Sequence, residues 1–411
     1  MAQTLKGFRD FLPAQMAVRN HVIKTVKSVF ESYGFAELQT PTLEYSDVLL
    51  GKYGPEAEKL MYLFKDHGGR EVGLKYDLTV PLARVMANYP DLPKPFKRFA
   101  IQPVFRAENT QKGRYREITQ CDFDTVGTVS PLADAEILAV ISDALTALKF
   151  SDFTLRINSR QILFDLVIQA GISSAQSLTV LQTIDKLDKK SRAEVEAELA
   201  AKQLSPAQIS RLFDLLKGAQ PDSALTQIMD SAAKLGVTHL KFDPALVRGL
   251  DYYTGAIFET IVTSPRIGSV SGGGRYDHLI SALGGPDLPA VGSTLGLDRI
   301  CDVISENRLL PDLVLTSTGL LVTVFSPDLL SSSLALALDL RKSGLNVELY
   351  PDPDTRLDKQ LKYASAKAVP YVAILGPAEV AAHQVTLKHL ATGDQHTLPA
   401  DQVPDFLHRL V

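Results

Sequence analysis

From about Gln161 to Leu235 the chain shows helical spacing only, rich in Ala, Leu, Lys, Glu and Gln, with no strand-like run. Strand-like segments flank it: Gly73 to Tyr76, Lys97 to Arg106 and Ile118 to Val126 before, then Leu240, Ala256 to Val262, Gly268 to Ser271 and Val291 to Leu295. That order predicts a small helical module placed between strands of one domain. Met16 to Tyr33 also reads as a helix, because Val18, Val22, Ile23, Val26, Val29 and Phe30 recur at its period and Gly34 fits the stop. Phe35 to Thr42 looks extended. Short β-like runs dominate from Tyr62 to about Gly127, and helical spacing returns at Leu132 to Leu148 and from about Gly296 to Glu306.

Arg308 to Gly319, with Pro311 and a Ser/Thr cluster, reads as a linker. Beyond it the rhythm changes. Strands at Leu320 to Phe325, Asn346 to Tyr350 and Tyr371 to Leu375 alternate with helices at Asp328 to Lys342 and Leu357 to Lys367. Such alternation implies a small parallel or mixed α/β domain.

The length of 411 residues allows two or three domains, and 45% apolar residues can build a sizeable core. No apolar run approaches the length needed to cross a bilayer, and Met1 to Pro13 lacks the apolar core of a secretion signal. The only cysteines, Cys121 and Cys301, support neither a disulfide framework nor a zinc site, and the eight histidines are scattered. A cytoplasmic protein without a metal centre is expected. The net charge of −4 argues against a surface wholly devoted to nucleic acid, but a local basic face would suffice for RNA.

Four stretches carry candidate chemistry. Arg106 ends a β-run and is followed by a basic hairpin loop, Asn109 to Arg116, so that Lys112, Arg114 and Arg116 could close over a triphosphate. Alone, such a loop reads as solvated charge. The decapeptide Leu246 to Gly255, LVRGLDYYTG, sets Arg248 and the adjacent Tyr252 and Tyr253 directly before an apolar strand. Burying that arginine calls for an anionic partner. In Ser271 to Asp277, SGGGRYD, consecutive glycines imply a ligand or another backbone close by. Last, Gly292 to Arg299, GSTLGLDR, eases a strand into a helix that begins near an arginine able to reach phosphates.

Taken together, the FRAE–RYRE pattern, GGGRYD and GSTLGLDR resemble the motifs of class II aminoacyl-tRNA synthetases. LVRGLDYYTG is similar to the signature of histidyl-tRNA synthetases, as are Gly7 to Pro13 (GFRDFLP) and Tyr53 to Glu56. The resemblance covers nearly the whole chain. It implies an α+β fold in which a six-stranded antiparallel catalytic sheet with flanking helices spans residues 1–318, with the helical insertion at about 161–238. An α/β anticodon-binding domain would follow at 319–411. It further implies a homodimer, and a reaction in which histidine and ATP give histidyl-adenylate and pyrophosphate before histidine passes to the 3′ end of tRNA(His).

By the same resemblance, Arg106 and Arg248 face the α-phosphate as the catalytic cations, with Arg248 where other class II enzymes use a metal ion. Arg114 and Arg299 hold the outer phosphates, Glu108 meets the adenine amino group, and Mg²⁺ travels with ATP, held by phosphate oxygens and water. Asp77, Thr79 and Gln120 bind the α-amino group of histidine. Asp124, Tyr252, Tyr253 and Tyr276 select its ring. Gln111 and Arg116 sit in the loop that would read the tRNA acceptor end. Bacterial members usually carry arginine, proline and glutamate in the Asp77 region and glutamate at the place of Asp124; the version here resembles the eukaryotic-type branch, and its shorter aspartates shift the charge by about one methylene group. Arg356, Lys359, Lys362 and Lys367 offer basic groups in the tail domain. A catalytically inactive regulatory paralogue, as in histidine biosynthesis, is the rival reading, but such proteins lose the catalytic arginines and the tail that are present here.

Overall fold

The computed structural model describes residues 2–51, 58–110, 113–248, 252–265, 267–409. Contacts divide the chain into two compact units, Met1–Asp10 with Arg19–Pro311, and Phe11–Val18 with Asp312–Val411.

In the first unit the strands run β1 (Ala36–Glu37), β2 (Leu43–Tyr45), β3 (Leu63–Lys65), β4 (Glu71–Leu74), β5 (Phe96–Phe105), β6 (Glu117–Val126), β7 (Phe153–Ser159), β8 (Leu240–Phe242), β9 (Ala256–Val262), β10 (Ser269–Arg275) and β11 (Ala290–Gly296). Eight of them form one sheet in the order β1-β5-β6-β11-β10-β9-β7-β8. The expected six antiparallel strands are the middle six, β5 through β7 in that order. The sheet is wider than expected because β1 joins β5, and β8 joins β7, in parallel at the two edges. Those edge strands are two and three residues long. Side-chain alternation needs about four residues to show, so they leave no period in the sequence. β2, β4 and β3 make a separate small antiparallel sheet.

β5 and β6 pair along their whole length, from Phe96 opposite Val126 to Phe105 opposite Glu117, so residues 106–116 connect a long hairpin as the sequence predicts. Period-two alternation then sorts β6. Gln120, Asp122 and Asp124 point one way, whereas Cys121 and Phe123 point into the core. On that core side the helix Pro13–Ser32 brings Phe30 to 4.7 Å from the Phe123 ring and 5.4 Å from Phe99. This packing leaves the polar face of β6 to the site.

Two elements depart from the sequence expectation. Thr79–Asn88 is a helix within the stretch read as β-like, because Val80, Leu82 and Val85 favour either state. Pro81 is tolerated in its first turn, where the missing N–H has no intrahelical partner to lose. β7 has no counterpart in the sequence expectation, although Phe153, Leu155 and Ile157 alternate with Thr154, Arg156 and Asn158 along it. The predicted insertion is there: five helices spanning Arg160–Lys234 lie between β7 and β8, two of them opened by reciprocal caps, Ser191 with Glu194 and Ser205 with Gln208.

In the second unit the strands are β12 (Leu320–Val322), β13 (Val347–Leu349), β14 (Tyr371–Ile374), β15 (Gln384–His389) and β16 (Gln395–Pro399), ordered β13-β12-β14-β15-β16. β12 is parallel to both neighbours, as the alternation predicts, and Leu320, Val322, Leu336 and Leu340 pack in its core. The antiparallel hairpin β15–β16 extends the sheet beyond the expected three strands.

Candidate active site

A cleft of about 460 Å³ opens on the face of the sheet that carries Gln120, Asp122 and Asp124. Twelve of the sequence-predicted residues line it: Asp77, Thr79, Arg106, Glu108, Arg114, Gln120, Asp124, Arg248, Tyr252, Tyr253, Tyr276 and Arg299. Gln111 lies outside the described residues, as do Lys112, Asp251 and the Tyr53–Glu56 motif. Arg116 does not line the cleft. Its Nε donates to Glu108 O at 3.2 Å and its Nη1 to Lys6 O at 3.4 Å.

One end of the cleft is cationic. Arg106 leaves the end of β5 with Nε on Tyr76 O at 3.3 Å and its guanidinium 4.6 Å from the Tyr76 ring centre. Arg114 approaches Glu108 at 3.5 Å, and Glu108 also accepts from the Tyr76 hydroxyl at 3.0 Å. Arg248 donates to Glu259 Oε1 on β9 at 2.7 Å and to Ser269 Oγ on β10 at 2.6 Å. Arg299 donates to Gly113 O at 3.1 Å and Ser269 O at 2.6 Å. Burial lowers the proton affinity of Arg299, and the positive charges of Arg248, Arg114 and Arg106 lower it further. Guanidiniums repel one another in a partly dry site, so such a gathering suits a multiply charged anion.

The glycines of β10 explain the close packing there. A Cβ on Gly272 would lie 2.1 Å from Arg248 Nη1, and one on Gly273 would lie 2.2 Å from Gly292 O of β11. The first glycine makes room for the arginine and the second for the neighbouring backbone.

The other end is anionic and aromatic. Tyr276 donates its hydroxyl to Asp124 Oδ1 at 2.5 Å, and Arg98 Nη2 reaches Asp124 Oδ2 at 2.8 Å from behind. The Tyr252 and Tyr253 hydroxyls are 3.1 Å apart, and the Tyr252 ring sits 6.0 Å from that of Tyr276. Burial pushes the Tyr253 phenol up to about 12 and Tyr276 well above its ordinary value, so both remain neutral donors. Asp77 accepts from Thr79 N and Val80 N at 3.1 and 2.9 Å, capping the helix Thr79–Asn88 as well as lining the cleft. Gln120 Nε2 meets Thr294 Oγ1 at 3.3 Å, while its Oε1 is buried without a hydrogen-bond partner among the described residues.

Sequence reasoning missed three residues here: Arg98, Asp122 and Glu259. Alternation along β6 could have found Asp122, two residues from both Gln120 and Asp124. Arg98 is opposite Asp124 in the β5–β6 register, which requires the pairing to be known. Asp122 is 3% exposed, and burial pushes its carboxyl up to about 7 against the pull of Arg98. The folded value lies above the ordinary 3.8. Its stabilising contribution is therefore full below pH about 4 and disappears as pH rises through about 7. Asp122→Asn should lose less stability than the parent between about pH 5 and pH 8, by on the order of 2 kcal/mol. Urea unfolding at both pH values measures this; parallel curves would contradict it.

An antiparallel sheet that presents a cationic and an anionic pocket along one cleft, beside a helical insertion, is the arrangement that the resemblance to class II aminoacyl-tRNA synthetases implies. Comparison with known proteins narrows the class. The family model for histidyl-tRNA synthetase matches residues 7–300, and that for an anticodon binding domain matches 320–410. The histidine–tRNA ligase of Gloeobacter violaceus is 41% identical, covering 96% of each chain, and that of Cytophaga hutchinsonii is 38% identical over 99% of this chain and 98% of its own. The crystal structure of histidyl-tRNA synthetase from Nostoc superposes with a TM-score of 0.87 at 29% identity, covering 100% of this chain and 99% of that one. A Bacillus halodurans structure described as an ATP phosphoribosyltransferase regulatory subunit/histidyl-tRNA synthetase shares the fold, with a TM-score of 0.75 at 22% identity over 88% of this chain and 96% of its own. The chain belongs to the histidyl-tRNA synthetase family.

Proposed function

We propose that this chain is a histidine–tRNA ligase, and that the carrying observation is the bipolar cleft, with four arginines at one end and the Asp124–Tyr276 pair at the other. ATP lies with its phosphates among Arg106, Arg114, Arg248 and Arg299 and its adenine amino group toward Glu108. Histidine lies across Gln120 with its α-ammonium toward Asp77 and Thr79 and its ring toward Asp124, Tyr252, Tyr253 and Tyr276. Polar partners for both ring nitrogens penalise any amino acid that leaves them unpaired.

The histidine carboxylate oxygen attacks the α-phosphorus, the bond from that phosphorus to the bridging oxygen breaks, and pyrophosphate departs with the electron pair. Arg106 and Arg248 face the charge that builds on the α-phosphate, already held in place by Tyr76 and by Glu259 and Ser269. Mg²⁺ would arrive with ATP as part of the substrate and would offset charge on its phosphates beside the four arginines. The second step moves histidine to the terminal ribose of tRNA(His), with Gln111 and Arg116 near the acceptor end and residues 319–411 on the anticodon. Residues 1–318 form the catalytic part, the working unit is a homodimer, and the setting is the cytoplasm.

ATP–pyrophosphate exchange with each of the twenty amino acids tests this reading. Exchange should depend on histidine alone, and a folded protein that exchanges with none of them would sink it.

A further inference from the structure

The Gly7–Pro13 motif is not used by the functional reading above, yet its first residues lie against the phosphate-facing loop. Phe8 N donates to Leu5 O at 2.9 Å and closes a turn. Gly7 O then accepts from Arg116 N at 2.9 Å, while Arg116 O accepts from Arg106 N at 2.8 Å. The N-terminal segment thus adds a rung to the base of the β5–β6 connection, on the residue that also pairs with Arg106. Gly7 has a φ of +90°, and a Cβ there would lie 2.7 Å from both Arg116 Cγ and Thr110 Cγ2. Only glycine permits this approach. Phe8 stacks its ring 6.4 Å from Phe105, the last residue of β5, and 6.2 Å from Tyr62.

Arg9 makes the connection that matters. Its guanidinium is 3.2 Å from the centre of the Tyr115 ring, and its Nη2 donates to Asp298 Oδ1 at 2.6 Å. Tyr115 stands between Arg114 and Arg116, and Asp298 immediately precedes Arg299. The same Asp298 carboxylate accepts from Arg19 Nη1 at 2.7 Å and from Thr119 N at 2.9 Å, so it is anchored to the sheet. One side chain therefore joins the loop that carries Arg114 to the helix start that carries Arg299.

We propose that residues 5–9 are a built-in clamp on the phosphate-binding loop and that Arg9 is a positioning residue for ATP, acting through Tyr115 and Asp298. The proposal rests on the reading of the cationic end as the ATP site. Its physical reason is that the four arginines, gathered around one cleft, repel one another; after burial, the charges of Arg248, Arg114 and Arg106 are what lower the proton affinity of Arg299. A loop bearing one of them would spread outward unless held, and holding it beforehand removes an ordering cost from nucleotide binding. Gly7 and Arg9 supply ties that lead to that loop and to the residue before Arg299.

Arg9→Ala should raise KM for ATP about tenfold in histidine-dependent exchange while KM for histidine moves less than about twofold. Arg9→Lys, which keeps a cation for Asp298 but covers the ring poorly, should fall between. Gly7→Val leaves Arg9 intact, cannot seat against Arg116, and should shift KM for ATP in the same direction. In hydrogen exchange, the Arg106 and Arg116 amides should lose protection in Arg9→Ala while the middle of β6 keeps it. An unchanged KM for ATP in both Arg9→Ala and Gly7→Val would overturn the clamp, as would equal rises for ATP and histidine or a loss of protection throughout the sheet. The dissociation constant of ATP, measured calorimetrically on the same proteins, needs no amino-acid activation. A parent chain that fails to activate histidine would thus overturn the functional reading, and the ATP constants would still decide the clamp.

Discussion

Arg248→Ala is expected to lower kcat/KM for histidine-dependent ATP–pyrophosphate exchange by about three orders of magnitude. The size follows from how firmly this cation is held. Its Nε sits 2.7 Å from Glu259 Oε1 and its Nη2 2.6 Å from Ser269 Oγ, and Glu259 is itself gripped by Arg156. Gly272 leaves the space that the guanidinium fills. A charge fixed before the reaction stabilises developing negative charge without reorganising, which is the largest single resource such a site has. Arg248→Lys should recover little, because an ammonium cannot bond Glu259, Ser269 and a phosphate oxygen together in one plane. Steady-state exchange with parent and variants matched for folded protein decides the matter. An alanine variant that retains a tenth of the parent activity would remove Arg248 from the catalytic step.

Arg98→Met is expected to destabilise the first unit by about 3–5 kcal/mol, the cost of stranding a buried charge partner. Arg98 is 1% exposed and its guanidinium lies behind the cleft, on Asp124 Oδ2 at 2.8 Å and Leu78 O at 3.1 Å. Burial alone would protonate both Asp122 and Asp124, and for each the Arg98 charge is the largest opposing influence. Both already hold protons more tightly in the folded state than in the unfolded one, and without Arg98 they would do so more tightly still. For Asp122 parent and variant lose stability alike up to pH about 7, so the penalty should grow mainly in the upper half of a range from about pH 6 to pH 9, where only the parent ionises it in the fold. Adding Asp124→Asn to Arg98→Met should restore part of the loss. Chemical denaturation across that pH range is the measurement, and a pH-independent loss below about 1 kcal/mol would show that Arg98 is packing rather than countercharge.

Much of the site was legible before the fold. The arginines that line the cleft come from three of the stretches whose residue types already suggested an anion, whereas the partners for histidine, Asp77 and Thr79 among them, were given only by the family resemblance. Alternation along Glu117–Val126 puts Gln120, Asp122 and Asp124 on one face, a purely local property of a strand that the sequence reading left unused. Arg116, offered by the sequence both as a loop cation over the phosphates and as a contact for the tRNA acceptor end, lies outside the cleft, because the loop's basic character says nothing about which guanidinium turns inward; the backbone of Lys6 and Glu108 takes that one. The helix Thr79–Asn88 was hidden by β-branched residues that suit a half-buried strand equally well.

What the sequence by itself determined is the set of chemical groups, their local periodicity, and the order of sheet, helical insertion and α/β tail, since these depend on neighbours a few residues apart. What only the tertiary structure decided is which distant groups neutralise one another. Arg98 meets Asp124 through strand register, Glu259 holds Arg248 across β9 and β10, and Arg9 reaches Asp298 over 289 positions of chain. Each pairing is made by long-range packing that removes the charges from water, and the worth of a charge pair is set by that removal as much as by the residues themselves.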